Sequence, residues 1–139
     1  MISEIYAIGS AGVSAFIIVE KGVMVHYGSY NWGKTLSFEG VTVPANDGDC
    51  EVLAVICGLM MCRNNARESV NIYTCSEKCQ KLYLYGGLVS PFSESFKRHS
   101  EGLDIYADKW PDGFYEKETR NYVKNEIVDK LYELIQKNQ

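Results

Sequence analysis

The stretch IYAIGSAG, residues 5–12, decides how this chain is read. Apolar residues run to Ile8, and Gly9-Ser10 closes them with a small polar turn. The pattern predicts a buried strand over 4–9. In an α/β protein the C-terminal end of such a strand is where ligands and catalytic groups gather. The residue before the glycine is Ile8, which carries no polar atom. What surrounds Ile8 therefore settles the chemistry available there.

Working outward, VSAFIIVEKG (13–22) predicts a second strand, with Glu20-Lys21-Gly22 as a hairpin turn. VMVHYGSYNWG (23–33) predicts a third, so the first three strands form an antiparallel meander. A short β stretch over LSFEGVTV (36–43) ends at Pro44. In NDGDCEVLAVICGLMMCRNNA, Asn46, Asp47 and Asp49 are N-cap candidates and Glu51 suits a first turn. Val52, Val55, Ile56, Leu59 and Met60 recur at helical spacing, giving a helix of about four turns that Asn64-Asn65 ends. SVNIYTCS (69–76) predicts a strand reached by a crossover, and so parallel to the meander. EKCQKLYLYGG and SPFSESFKRHS predict two short helices, GLDIYADKW a last strand, and the C-terminal stretch a long helix. On that helix Val123, Ile127, Leu131, Leu134 and Ile135 form the apolar stripe.

The resulting order is β-β-β-α-β-α-α-β-α. At 139 residues, without repeats or a low-complexity linker, residues 1–139 read as a single domain. The implied fold class is α/β: a mixed five-stranded sheet, three antiparallel strands followed by parallel crossovers, flanked by helices.

No apolar run reaches the ~18 residues of a membrane-spanning helix, so no membrane partner is expected. The five cysteines are an odd number, and the N-terminal residues lack the charged lead, apolar stretch and cleavage site expected of a secretory leader. That fits reduced thiols and a cytoplasmic location. Cys50, Cys57, Cys62, Cys75 and Cys79 read as isolated buried thiols, because no second Cys/His pair stands at zinc-ligand spacing. The net charge is −4. A chain dedicated to nucleic acid usually shows a basic balance or a basic patch. The local candidate is Lys97-Arg98-His99, with Lys78 and Lys81 before it. The same residues also fit ordinary solvated helix faces.

Four segments, taken in order, resemble the ribonuclease H family. IYAIGSAG looks like that family's strand-Asp-Gly-Ser start. NDGDCEVLAVICGL is similar to its helix that opens with a metal-binding Glu. NIYTCSEKCQKLY looks like its strand ending Thr-Asp-Ser, and KNEIVDKLYELI like its last helix with Asn-Glu-x-x-Asp-x-Leu. The resemblance covers the whole chain. It implies a ribonuclease H-like fold; in that family two divalent ions, held by four carboxylates, cleave the RNA strand of an RNA–DNA hybrid.

Carried over position by position, the bridging first-strand Asp falls on Ile8, the helix Glu on Glu51, the Thr-Asp-Ser Asp on Cys75, and the last-helix Asp on Asp129. Mg²⁺ is a hard cation that wants oxygen ligands. Isoleucine offers none, and a thiol is a poor match. Glu51 and Asp129 remain as a weak or vestigial metal pair; each equally fits a plain first-turn or exposed helix acid. No histidine occurs in KWPDGFYEKETRNY, where the family carries a His loop.

The leading expectation is a catalytically inactive ribonuclease H-like domain used for binding or assembly. Its partner would be an RNA–DNA hybrid or other duplex, through Gly9, Ser10, Ser76, Lys97 and Arg98, or a protein, with Tyr83, Tyr85 and Phe92 as candidate exposed aromatics. No cofactor is required for that role; Mg²⁺ or Mn²⁺ would accompany surviving activity. The alternative is an active ribonuclease H with relocated acids, drawn from Asp47, Asp49 and Asp104. A related exonuclease or resolvase would still need an acid near position 8.

Overall fold

In the computed structural model of the chain the described residues are 2–74, 90–109 and 122–137. Strand β1 (Ser3–Ser10) pairs antiparallel with β2 (Val13–Glu20), and β2 with β3 (Val23–Asn31). The two turns are Ala11-Gly12 and Lys21-Gly22, with φ of 52° and 78°, then 52° and 76°. Both are two-residue reversals with positive φ at each position, which match strand twist and favour glycine. The first turn thus follows Gly9-Ser10 directly, and those two residues belong to the strand.

The β stretch expected over 36–43 resolves into two strands. β4 (Thr35–Phe38) and β5 (Val41–Pro44) form a separate hairpin. Glu39-Gly40, both at positive φ, breaks the run. Pro44 is the last residue of β5, as expected, and pairs there with Thr35; a two-stranded ribbon has two edges, and an edge tolerates proline.

Helix α1 (Asp47–Asn64) starts where expected. The Asn46 side chain accepts a hydrogen bond from the Asp49 amide at 2.9 Å. It ends on Asn64, with the Asn65 amide donating back to Met61 and Cys62 carbonyls. β6 (Ser69–Thr74) then pairs parallel with β1, α2 (Ser93–Ser100) follows, and β7 (Asp104–Lys109) pairs parallel with β6. α3 (Tyr122–Lys137) closes the described chain. The main sheet has the order β3-β2-β1-β6-β7. The helix expected over EKCQKLYLYGG lies outside the described residues.

Two apolar layers cover the sheet. On one face Ile5, Ala7, Phe16, Ile18, Val70 and Ile72 pack against α1, with Phe92 and Phe96 of the α2 region and Leu36 of the hairpin behind it. Sandwiched this way, α1 is buried on nearly all sides from Asp49 to Leu59, so its sequence is apolar all round rather than striped. On the other face Tyr6, Ile8, Val13, Ala15, Ile17 and Val19 pack against Ile127, Leu131, Leu134 and Ile135 of α3. Central strands covered on both faces read as continuous apolar runs. Phe92 is fully buried, so it is core and not an exposed partner contact.

Candidate functional site

The C-terminal end of β1 meets the N-terminus of α1, and Gly9 sets the distance. A Cβ at Gly9 would lie 2.3 Å from the Glu51 amide nitrogen and 2.6 Å from the Cys50 carbonyl carbon. Only glycine lets the helix backbone come this close. The contact is tied on both sides. The Ser14 hydroxyl, opposite Gly9 in register, donates to the Cys50 carbonyl at 2.5 Å. It accepts from the Trp32 indole at 2.8 Å. The Ala11 amide donates to the Asp47 carboxylate at 3.1 Å. Sequence reading missed Ser14 and Trp32. Their only signal was a serine within an otherwise apolar strand, which needs a partner once buried.

The acids at this end fall into different environments. Asp49 is 2 % exposed; it accepts from the Asn46 amide group at 2.7 Å and from the Ser90 hydroxyl at 3.0 Å. It therefore belongs to the capping of α1. Glu51 is buried too, at 4 % exposure. Asp47 is exposed, with the Ala11 amide on one oxygen. Asp104 opens β7 opposite Ser69, beside the start of β1. With Ser3 adjacent to Val70, and Asp104 paired with Ser69 one residue earlier, Asp104 lies about six residues and ~20 Å from the level of Ile8. It cannot stand in for a carboxylate at position 8.

Ile8 is 7 % exposed and sits in the layer facing α3, with Ile127 and Leu131 both fully buried. Asp129 stands on the exposed side of α3, two residues and more than half a turn from Ile127. Glu51 is on the helix covering the opposite face of the sheet. Among the described residues no three His, Cys, Asp or Glu side chains gather where one ion could be held. At the position that the resemblance gives to the bridging carboxylate stands an aliphatic side chain, from which a hard ion gains no oxygen. Cys75 and Ser76 lie outside the described residues.

Lys97 and Arg98 end α2, but acids stand beside both. The Arg98 guanidinium is 2.9 Å from Glu39, and Lys97 is 4.0 Å from Glu94. His99 shares the Glu39 carboxylate at 3.0 Å. Burial works against ionisation of Glu39, yet hydrogen bonds from Ser95 and His99 and the charges of His99 and Arg98 outweigh it and hold its carboxyl below the usual range. The positive field of the patch is thus largely neutralised from within. Among the described residues, burial pushes the Cys50, Cys57 and Cys62 thiols each up to about 11. A protonated thiol is a weak nucleophile.

No protein-family model and no curated protein matches the chain. Solved structures do. Ribonuclease H1 from the halophilic archaeon Halobacterium salinarum superposes with a TM-score of 0.67 at 14 % identity, over 99 % of each chain. The N-terminal ribonuclease H domain of a Mycobacterium tuberculosis protein gives 0.63 at 12 % identity, over 95 % of this chain and 96 % of that one. LC11 ribonuclease H1, from compost and solved with an RNA/DNA hybrid, gives 0.59 at 16 % identity, over 92 % and 97 %. The chain has the ribonuclease H-like fold: a mixed five-stranded sheet with helices on both faces. At these identities the likeness is one of architecture.

Proposed function

We propose that this is a non-catalytic ribonuclease H-fold domain whose work is binding and assembly. The observation that carries the reading is Ile8, buried in an apolar layer at the position the resemblance reserves for the carboxylate shared by both ions. In-line phosphodiester cleavage by paired ions needs oxygens that bridge them. The relocated acids that would rescue activity are not gathered there: Asp49 is held by Asn46 and Ser90, Asp47 holds the Ala11 amide, and Asp104 is at the far end of the sheet.

For the partner, the charge balance favours a protein. Lys97 and Arg98 face Glu94 and Glu39, and the whole chain carries −4. A duplex reader is the second reading. It is supported by the likeness to a ribonuclease H1 that was solved with an RNA/DNA hybrid. It would use Gly9, Ser10, Ser76, Lys97 and Arg98.

The test is incubation with a labelled RNA–DNA hybrid in Mg²⁺ and, separately, Mn²⁺. The hybrid is expected to stay intact. Cleavage that disappears in Glu51→Gln overturns the non-catalytic reading. Binding without cleavage, weakening steeply as salt rises, assigns the duplex as partner.

A further inference from the structure

The β4–β5 hairpin is a sheet of its own, apart from the five-stranded one. Two strands of four residues each have little stability by themselves. Three features hold them in place. The underside is apolar: Leu36 is fully buried, and Phe38, Val41 and Val43 pack partly buried against the layer around α1. The root is closed by the Ala45 amide, which donates to the Lys34 carbonyl at 3.0 Å. The tip is tied through one side chain, Glu39.

Turn chemistry does not call for a glutamate there. Glu39 is the first residue of a two-residue reversal, at φ of 48°, with Gly40 at 84°. Asn, Asp or Gly suits that place, and a longer side chain is strained in it. Its carboxylate has a use instead. It accepts from the Arg98 guanidinium at 2.9 Å, from His99 Nε2 at 3.0 Å and from the buried Ser95 hydroxyl. These three donors stand at i, i+3 and i+4 on one face of α2. Among the described residues Arg98 and His99 are the charged groups that act on Glu39. The neighbouring Lys97 stands by Glu94, and residues 35–44 carry no other charge. A lone exposed ion pair would hold little. Three donors on one ionised carboxylate hold more. An Nε2 facing a carboxylate carries its hydrogen in the neutral ring as in the cation, so the contact depends on the ionisation of Glu39.

The hairpin also touches the β1–α1 junction. The Phe38 ring meets the Trp32 indole edge-on at 6.1 Å, and Trp32 donates to the Ser14 hydroxyl that holds the Cys50 carbonyl. We propose that the hairpin is an acid-released strap: ionised Glu39 latches its tip to Ser95, Arg98 and His99, and protonation of Glu39 lets the strap lift and slackens Trp32 on Ser14. Burial opposes ionisation of Glu39, yet Ser95, His99 and Arg98 together hold its carboxyl below the ordinary 4.5. The latch is therefore complete above about pH 4.5 and weakens as pH falls below it. Lifting is a local opening of a weakly held element, short of unfolding. The strap goes beyond the binding reading and holds whether or not the domain cleaves nucleic acid.

The experiment follows hydrogen exchange of the full chain between pH 7 and pH 3.5, normalised to the rates of unstructured peptides. Residues 35–44 report the strap, and β2 serves as the reference for unfolding of the whole domain. The Trp32 indole N–H resonance, assigned by its loss in Trp32→Phe, is recorded alongside. Opening of 35–44 is expected to rise at least about threefold on acidification while β2 keeps its protection, and the indole resonance should move over the same pH range. Glu39→Gln should open at least about threefold more than the parent already at pH 7, with no further rise in acid. Arg98→Met, at an exposed position, should also open more at pH 7. An acid response that persists unchanged in Glu39→Gln overturns the proposal. So does exchange of 35–44 and β2 rising together, or an indole resonance that stays in place while the strap opens. Should Glu39→Gln fail to fold, Arg98→Met decides: unchanged protection of 35–44 in that variant overturns the latch, and raised opening with β2 protected supports it.

Discussion

Ile8 and Gly9 are neighbours with opposite duties. Ile8 is buried in the layer beneath α3, so a carboxylate there would lose water without gaining a partner. Ile8→Asp is expected to cost about 3 kcal/mol, read as a shift of the urea midpoint, and to leave hybrid cleavage at background. Ile8→Asp combined with Cys75→Asp asks whether the ligands alone are missing; metal-dependent nicking by the double variant would show a scaffold that has lost nothing else. Gly9 is spent on closeness rather than on ligand. Gly9→Ala would drive a methyl group to 2.3 Å from the Glu51 nitrogen. Overpacking against backbone cannot relax by a rotamer change, so a loss of about 3 kcal/mol is expected in the same measurement. If Gly9→Ala melts like the parent, the close approach of helix and strand is wrong.

At the scale of elements, α1 is held to the sheet by polar contacts at its first turn and by apolar packing along its length. Asn46 caps it, and Asp49 answers both Asn46 and Ser90. Asn46→Ala is expected to lower stability by about 1 kcal/mol, the usual worth of an N-cap, with no change in the slope of urea unfolding. The start of this helix was legible because Asn, Asp and Glu before an apolar run have one strong local use. Its depth of burial was not, because an apolar run of this length fits a helix covered on one face or on all of them. Likewise LSFEGVTV looked like one strand; the turn at Glu39-Gly40 shows only in the backbone angles, where a non-glycine residue takes φ of 48°.

On the scale of the whole molecule, Glu20 ties the end of β2 to the loop after α1. Its carboxylate accepts from Arg67 at 2.8 and 2.9 Å and from the Ser3 hydroxyl at 2.6 Å. Those hydrogen bonds, Arg67 first, hold the Glu20 carboxyl at about 2 against an ordinary 4.5, although burial opposes them. The folded state therefore releases this proton more readily than the unfolded chain. The stability it brings is complete above about pH 4.5 and is lost as pH falls toward about 2. Arg67→Met leaves a buried acceptor short of partners and is expected to cost about 1–3 kcal/mol at pH 7. It should also flatten the acid side of the stability profile, measured as urea midpoints across that range. An unchanged acid limb in Arg67→Met would mean that other carboxylates govern acid unfolding.

The sequence by itself determined the order of the main-sheet strands and of α1, α2 and α3 among them, the cap at Asn46, and the absence of a carboxylate at position 8, because each of these is written in local chemistry. The resemblance carried by four short segments supplied the architecture, which the sheet order and the solved neighbours bear out. Only the tertiary structure decided what those residues meet. It put Ile8 under α3, set Glu39 against Arg98, spent Gly9 on the approach of α1, and placed Asp104 at the wrong end of the sheet. Each depends on contacts between residues far apart in the chain, and a linear pattern does not specify which side chains end up facing one another across a sheet.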